Sequence, residues 1–141
     1  MSTRQRASKV TFTTKNGTEL SIKPIGWFTL MDYFKDMGGI EIVFSQDAMK
    51  EEVEKRSGME QFAFMAKFAE MLKYICSHGV EHELTDEDIA DVKREGRYVA
   101  DNPRETLGNW VWHVALEASD TELIRLLMLV ASHSSSQLET K

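Results

Sequence analysis

A mainly α-helical fold is expected, with an N-terminal β-hairpin followed by a bundle of about five to six helices. Three observations point to it. Residues 9–25 alternate apolar and polar side chains around an Asn-Gly pair, the period of a strand. Beyond Pro24, apolar residues recur at intervals of three and four, the period of a helix. The chain has 141 residues, 42% hydrophobic and 28% charged, which suits one domain with a real core.

In the hairpin, Val10, Phe12 and Thr14 share one face of the first strand, and Thr11 and Thr13 the other. Asn16-Gly17 tolerates positive φ and predicts a tight two-residue turn. Leu20 and Ile22 alternate with Glu19, Ser21 and Lys23 in the second strand. Pro24, which has no N–H for the ladder, closes it. A two-stranded hairpin is marginal alone in water, so this one must pack on the rest of the chain or pair with another copy.

Everything after Pro24 reads as helix and connector. Thr29 is the expected cap of a first helix carrying Leu30, Met31, Tyr33 and Phe34, and Gly38-Gly39 ends it. Residues 40–44 (IEIVF) fit either a short strand or a helical turn. Residues 46–56 form a charged helix, and Ser57-Gly58 a break. Residues 59–77 carry the strongest helical pattern, with Phe62, Met65, Phe68, Ala69, Leu72, Ile75 and Cys76 as the expected inner face and Gly79 as the stop.

Thr85 opens the next helix with Asp88 three residues on, a shortened capping box. Ile89 and Val92 face inward, and Gly96 ends it. Pro103 suits the first turn of a helix that continues through Trp110, Val111, Val114 and Leu116. Ser119 with Glu122 is a second capping box, opening a final helix from Thr121 to about His133. Residues 1–8 (MSTRQRAS) are expected to be a flexible basic start, residues 9–133 one domain, and residues 134–141 a flexible polar tail.

The balance of 17 basic against 23 acidic residues, a formal charge of −6, argues against a general duplex-binding protein, whose affinity comes from neutralising phosphates. No stretch approaches the roughly 18 apolar residues of a membrane span, and no apolar signal segment is expected at the N-terminus. One cysteine cannot form an internal disulfide, which fits a reducing compartment.

No catalytic signature is present. Cys76, His78, His82 and Glu83 fall within eight residues, but their spacing matches no common zinc pattern, and Cys76 lies on an apolar face. Asp86, Glu87, Asp88 and Asp91 cluster at a helix start, where the dipole favours carboxylates. A calcium loop from Asp86 would need Gly and Glu where Asp91 and Arg97 stand. Gly38-Gly39 lacks the Lys-Ser/Thr of a phosphate loop. Neither a metal, a cofactor nor an enzymatic activity is expected.

The methionines and phenylalanines carry more information. Met31, Met37, Met49, Met59, Met65, Met71 and Met128 spread through nearly every helix. They are either flexible core filler or the lining of a pliable groove for a partner helix. Phe62 and Phe64 diverge by roughly 200° on a helix, so that helix is either buried on most sides or meets another chain with one face. Trp110 and Trp112 raise the same choice.

The order of parts, KVTFTTKNGTELSIKPI leading into GWFTLMDYFKDM and then an acidic helical region, resembles the small tail-assembly chaperones of long-tailed bacteriophages. The likeness covers mainly residues 9–37, with looser agreement in helix content and acidity to about Val130. It implies a non-catalytic protein of the host-cell cytoplasm. Such a protein binds and solubilises the tape-measure protein, whose gene follows, during tail assembly, with the tail tube protein as a second candidate partner and with self-association. Family members are often made in a second, longer frameshifted form. A long apolar-rich helical chain would aggregate before its tube forms, and a small acidic Met- and Phe-rich protein can cover its apolar faces. The expected groove draws on Phe28, Met31, Phe34, Met65 and Phe68, and the hairpin edge on a second copy.

Two other classes compete. One is a small acidic regulatory or inhibitory protein. Its stretch 81–101, with Asp or Glu at eight positions against Lys93, Arg94 and Arg97, would occupy the site of a basic partner. The other is a metal-dependent enzyme built on Cys76, His78 and His82.

Overall fold

A computed structural model of the chain describes residues 10–39, 41–42 and 45–139, with side chains through Ser136. It is mainly helical, 66% helix, with an N-terminal antiparallel hairpin followed by six helices. The expected basic start at residues 1–8 lies outside the described residues. Of the ambiguous stretch 40–44, Glu41 and Ile42 are helical, and the other three lie outside the described residues.

Strands β1 (Val10–Thr13) and β2 (Glu19–Ile22) pair with Phe12 opposite Leu20 and Val10 opposite Ile22. Phe12, Thr14, Leu20 and Ile22 are buried, so the period-two reading places the inner face correctly. The turn differs from the two-residue form. Thr14 N–H donates to the Thr18 carbonyl at 2.8 Å and Gly17 N–H to the Thr14 carbonyl at 3.0 Å, which leaves a three-residue loop, 15–17. Gly17 alone takes positive φ there, at 93°, the arrangement of a turn followed by a one-residue bulge. A third strand, β3 (Val80–Glu81), pairs antiparallel with β2, Val80 opposite Ile22. Two residues are too short for any periodicity, so the sequence shows no strand there.

Helix α1 (Trp27–Asp36) starts two residues before the expected Thr29 cap. Gly26 caps it without a side-chain hydrogen bond, its carbonyl taking Leu30 N–H at 3.1 Å. Gly38-Gly39 does end the helix: Gly39 N–H reaches the Phe34 carbonyl at 2.7 Å and Gly38 N–H the Lys35 carbonyl at 3.1 Å, a Schellman pair. Helix α2 (Gln46–Lys55) is capped by Ser45 Oγ, which accepts Ala48 N–H at 3.2 Å. Helix α3 (Gly58–His78) is the longest, and α4 (Asp86–Arg94) carries the expected box, Thr85 and Asp88 each accepting the other's backbone N–H at 3.1 and 3.0 Å. Helix α5 (Pro103–Asn109) runs directly into a π-helical turn (Trp110–Ala115), followed by Glu117 and Ala118 at φ 55° and 57°.

The last helix, α6 (Asp120–Glu139), continues past His133. Residues 134–139, expected as a frayed tail, are helical, and Ser134 is buried at 2% exposure. Ser119 Oγ accepts Glu122 N–H at 3.3 Å, but the Glu122 carboxylate turns away from the cap and meets Lys15 N–H at 3.3 Å and Arg125 at 2.5 Å. Half of the expected box forms, and the other half ties the helix to the hairpin loop. Helix α6 touches β1, α1 and α3 and supplies Leu123, Leu126, Leu127 and Val130 to the core. The hairpin therefore packs on its own chain.

Candidate partner-binding surface

Helices α1 and α3 meet through their side chains. The Tyr33 and Tyr74 rings meet at 5.3 Å, and Lys67 Nζ stands 3.9 Å from Asp36. An open seam of about 480 Å³ runs between them, lined by Phe28, Asp32, Tyr33 and Asp36 of α1 and by Lys67 and Glu70 of α3. Burial first, then the Glu70 carboxylate, raises the Tyr33 hydroxyl above its ordinary pKa.

The five residues expected to form one groove do not converge. Phe28 is 83% exposed and lines the seam. Phe34 is 1% exposed and belongs to the core, because it lies one turn from Leu30 on the stripe that α6 covers. Phe68 is half-buried against that same core. Met31 and Met65 are exposed, but neither lines the seam.

The inner face of α3 matches the expectation at Leu72, Ile75 and Cys76 and departs from it in the first half of the helix. Phe64, Met71, Leu72, Ile75 and Cys76 are buried, whereas Phe62 and Met65 are out. Helix α2 selects this phase by covering Phe64: the Arg56 guanidinium lies 4.3 Å from the Phe64 ring centre, and Gln61 Nε2 donates to the Val53 carbonyl at 2.9 Å. The displaced stripe forms a second feature that the sequence reading merged with the core. Met59 is 84% and Phe62 79% exposed, and with Ala66 and Ala69 they repeat at intervals of three, four and three, with Met65 beside them. That spacing is the seam of a helix pair. Lys73, next in the series, ends it. The signal was present in the sequence as a second apolar phase, and only the burial of Phe64 separates the two.

The candidate metal ligands are dispersed. Cys76 faces the core, where burial raises the thiol's pKa. The His78 ring stacks on Tyr74 at 4.1 Å, and its pKa is lowered by burial, then by Arg104 and Lys23. His82 Nε2 pairs with Asp88 at 3.0 Å, and its ring lies on Trp110. Among the described residues, no three His, Cys, Asp or Glu side chains gather as a metal set. The acidic stretch 81–101 is partly spent internally: Asp88 serves the cap and His82, and Asp91 pairs with Arg94. Among the described residues no helix is long and apolar enough to cross a membrane.

No family model matches the chain, and neither a curated protein nor a solved structure matches it.

Proposed function

We propose that this chain is a non-catalytic assembly chaperone of long-tailed phage tails, which binds the tape-measure protein and keeps its apolar helices soluble until the tube forms. The observation that carries the reading is the seam on α3 formed by exposed Met59, Phe62 and Ala66 and half-buried Ala69. Large apolar side chains left in water at helix-pair spacing fit an apolar helix of a partner. The small alanines let that helix approach closely, while Met59 and Met65 adapt to varied side chains. A net charge of −6 supports solubility of the resulting complex. The resemblance in residues 9–37 supplies the identity of the partner.

Co-expression with the product of the following long open reading frame tests this. The long product is expected in the soluble fraction only when this chain is present, and Met59→Ser with Phe62→Ser is expected to return most of it to the pellet. Solubility indifferent to this chain overturns the reading. A stoichiometric complex with one basic protein, lost at moderate salt, would replace it with the inhibitory alternative.

A further inference from the structure

The stripe Met59, Phe62, Ala66 and Ala69 on α3 is graded in size as well as apolar. Its two large side chains fall in the first half and its two small ones in the second. Met59 and Phe62 are 84% and 79% exposed, and Met65 beside them 45%. The open length is short. Lys73 ends the apolar series, and Ser77, three turns past Ala66 on the same face, already meets α5, where a Cβ on Gly108 would stand 2.9 Å from Ser77 Cβ.

The grading decides how the stripe can meet itself. Parallel and in register with a second copy, Met59 would meet Met59, Phe62 would meet Phe62, and alanines would meet alanines. That wedge holds the helix axes apart at one end and leaves a gap at the other. In an antiparallel pair with layers Met59–Ala69, Phe62–Ala66, Ala66–Phe62 and Ala69–Met59, every layer joins one large side chain to one small one. Moving that register by one heptad sets Met59 against Phe62 in one direction and Phe62 against Lys73 in the other. One alignment alone fills all four layers. Its two-fold axis passes level with Phe64, on the opposite side of the helix, with Ala63 on one flank and Met65 on the other. Each of these meets its own equivalent there, and neither is charged, so the axis brings no like charges together. Glu70 falls level with Gly58 of the second copy, at the N-terminal end of its α3, where the helix dipole favours a carboxylate.

We propose that a second copy of this chain covers the stripe in the resting protein, α3 against α3 in an antiparallel two-fold pair. The proposal rests on the binding reading above and adds its regulation: a long apolar helix reaches the stripe by displacing the second copy. One short helix pair buries less than the roughly 1,200 Å² at which stable interfaces begin, so the dimer is weak enough to give way. Until then the exposed methionines and Phe62 are sheltered from non-specific association.

Analytical ultracentrifugation of the whole chain, alone, tests this. A reversible monomer–dimer equilibrium is expected, with Kd on the order of ten micromolar. Phe62→Ala, at an exposed position, is expected to weaken it about tenfold or more. Ala66→Phe is expected to weaken it by setting two phenylalanines in one layer. The double variant, Phe62→Ala with Ala66→Phe, again has one large and one small side chain per layer and is expected to regain most of the association. Orientation is read by disulfide cross-linking. Chains carrying Met59→Cys mixed with chains carrying Ala69→Cys are expected to cross-link faster than either alone, and native Cys76, 0% exposed, does not compete. A chain still monomeric near millimolar concentration, a dimer indifferent to Phe62→Ala, or a double variant no better than Ala66→Phe overturns the pair. Faster cross-linking of Met59→Cys with itself overturns the antiparallel arrangement. A monomer that still solubilises the long product would strike the pair and leave the chaperone reading standing, and a dimer that does not solubilise it would do the reverse.

Discussion

Ser134 Oγ accepts the N–H of Ile25 at 2.9 Å, a buried hydrogen bond that joins the exit of the hairpin to the far end of the last helix. It explains why α6 does not fray at His133. Ile25 lies beyond the end of β2, so its buried N–H takes its acceptor from α6 rather than from a neighbouring strand.

Ser134→Ala leaves that donor unpaired. It is expected to cost about 1–3 kcal/mol in urea unfolding, and truncation after His133 at least as much. Unchanged stability in both would make the contact incidental.

Helices α3 and α5 pack closely at Gly108, where an added Cβ would sit 2.9 Å from Ser77 Cβ and 3.4 Å from Ser77 backbone atoms. Alanine gains about 1 kcal/mol of helix propensity there but meets overpacking of about 1–3 kcal/mol. Gly108→Ala is expected to lower the melting temperature, and Ser77→Gly to restore part of the loss. A melting temperature raised by Gly108→Ala alone would show that the helices separate freely.

Ala118 holds φ 57° in the turn between the π-helical segment and α6. The left-handed conformation costs an alanine about 1–2 kcal/mol, against a smaller entropic cost for glycine. Ala118→Gly is expected to stabilise the fold by about 0.5–1 kcal/mol in chemical denaturation. Destabilisation would mean that the Ala118 methyl group contributes packing.

His78 and His113 have lowered pKa values. Burial is the first cause for both, followed by Arg104 and Lys23 at His78 and by Arg97 at His113. The unfolded chain then takes up protons near its ordinary value of about 6.5, before the folded one does. Their contribution is full above that pH and is lost as pH falls through the folded values. Asp88 extends the trend into more acid solution. Burial opposes its ionisation, but hydrogen bonds from Thr85 and His82 outweigh it and hold the carboxyl below its ordinary range. Melting temperature is expected to fall between pH 7.5 and pH 5, and His78→Gln with His113→Gln to flatten that slope. A flat wild-type profile would contradict it.

The readings that held are local ones. The alternation in β1 and β2, the Thr85–Asp88 box, the stop at Gly38-Gly39 and the Pro103 start each lie within a few residues, and each is a matter of backbone hydrogen bonds closed by near neighbours. The readings that shifted depend on distant partners. Thr29 yielded to Gly26 as the cap, three residues earlier, a boundary that tertiary packing moves easily. Phe34 was read as surface because its stripe is apolar whether a partner or α6 covers it.

Composition and periodicity alone therefore determined a hairpin leading into an acidic helical bundle, and where most of its helices begin and end, because those features answer to interactions a few residues long. Tertiary structure decided which of two apolar phases on α3 faces inward, leaving Phe64 buried and Met59 and Phe62 in water. It also paired Val80 with Ile22 and carried α6 past Ser134. Burial is a property of neighbours brought together from far along the chain, and no local pattern records which of two equally apolar faces those neighbours will meet.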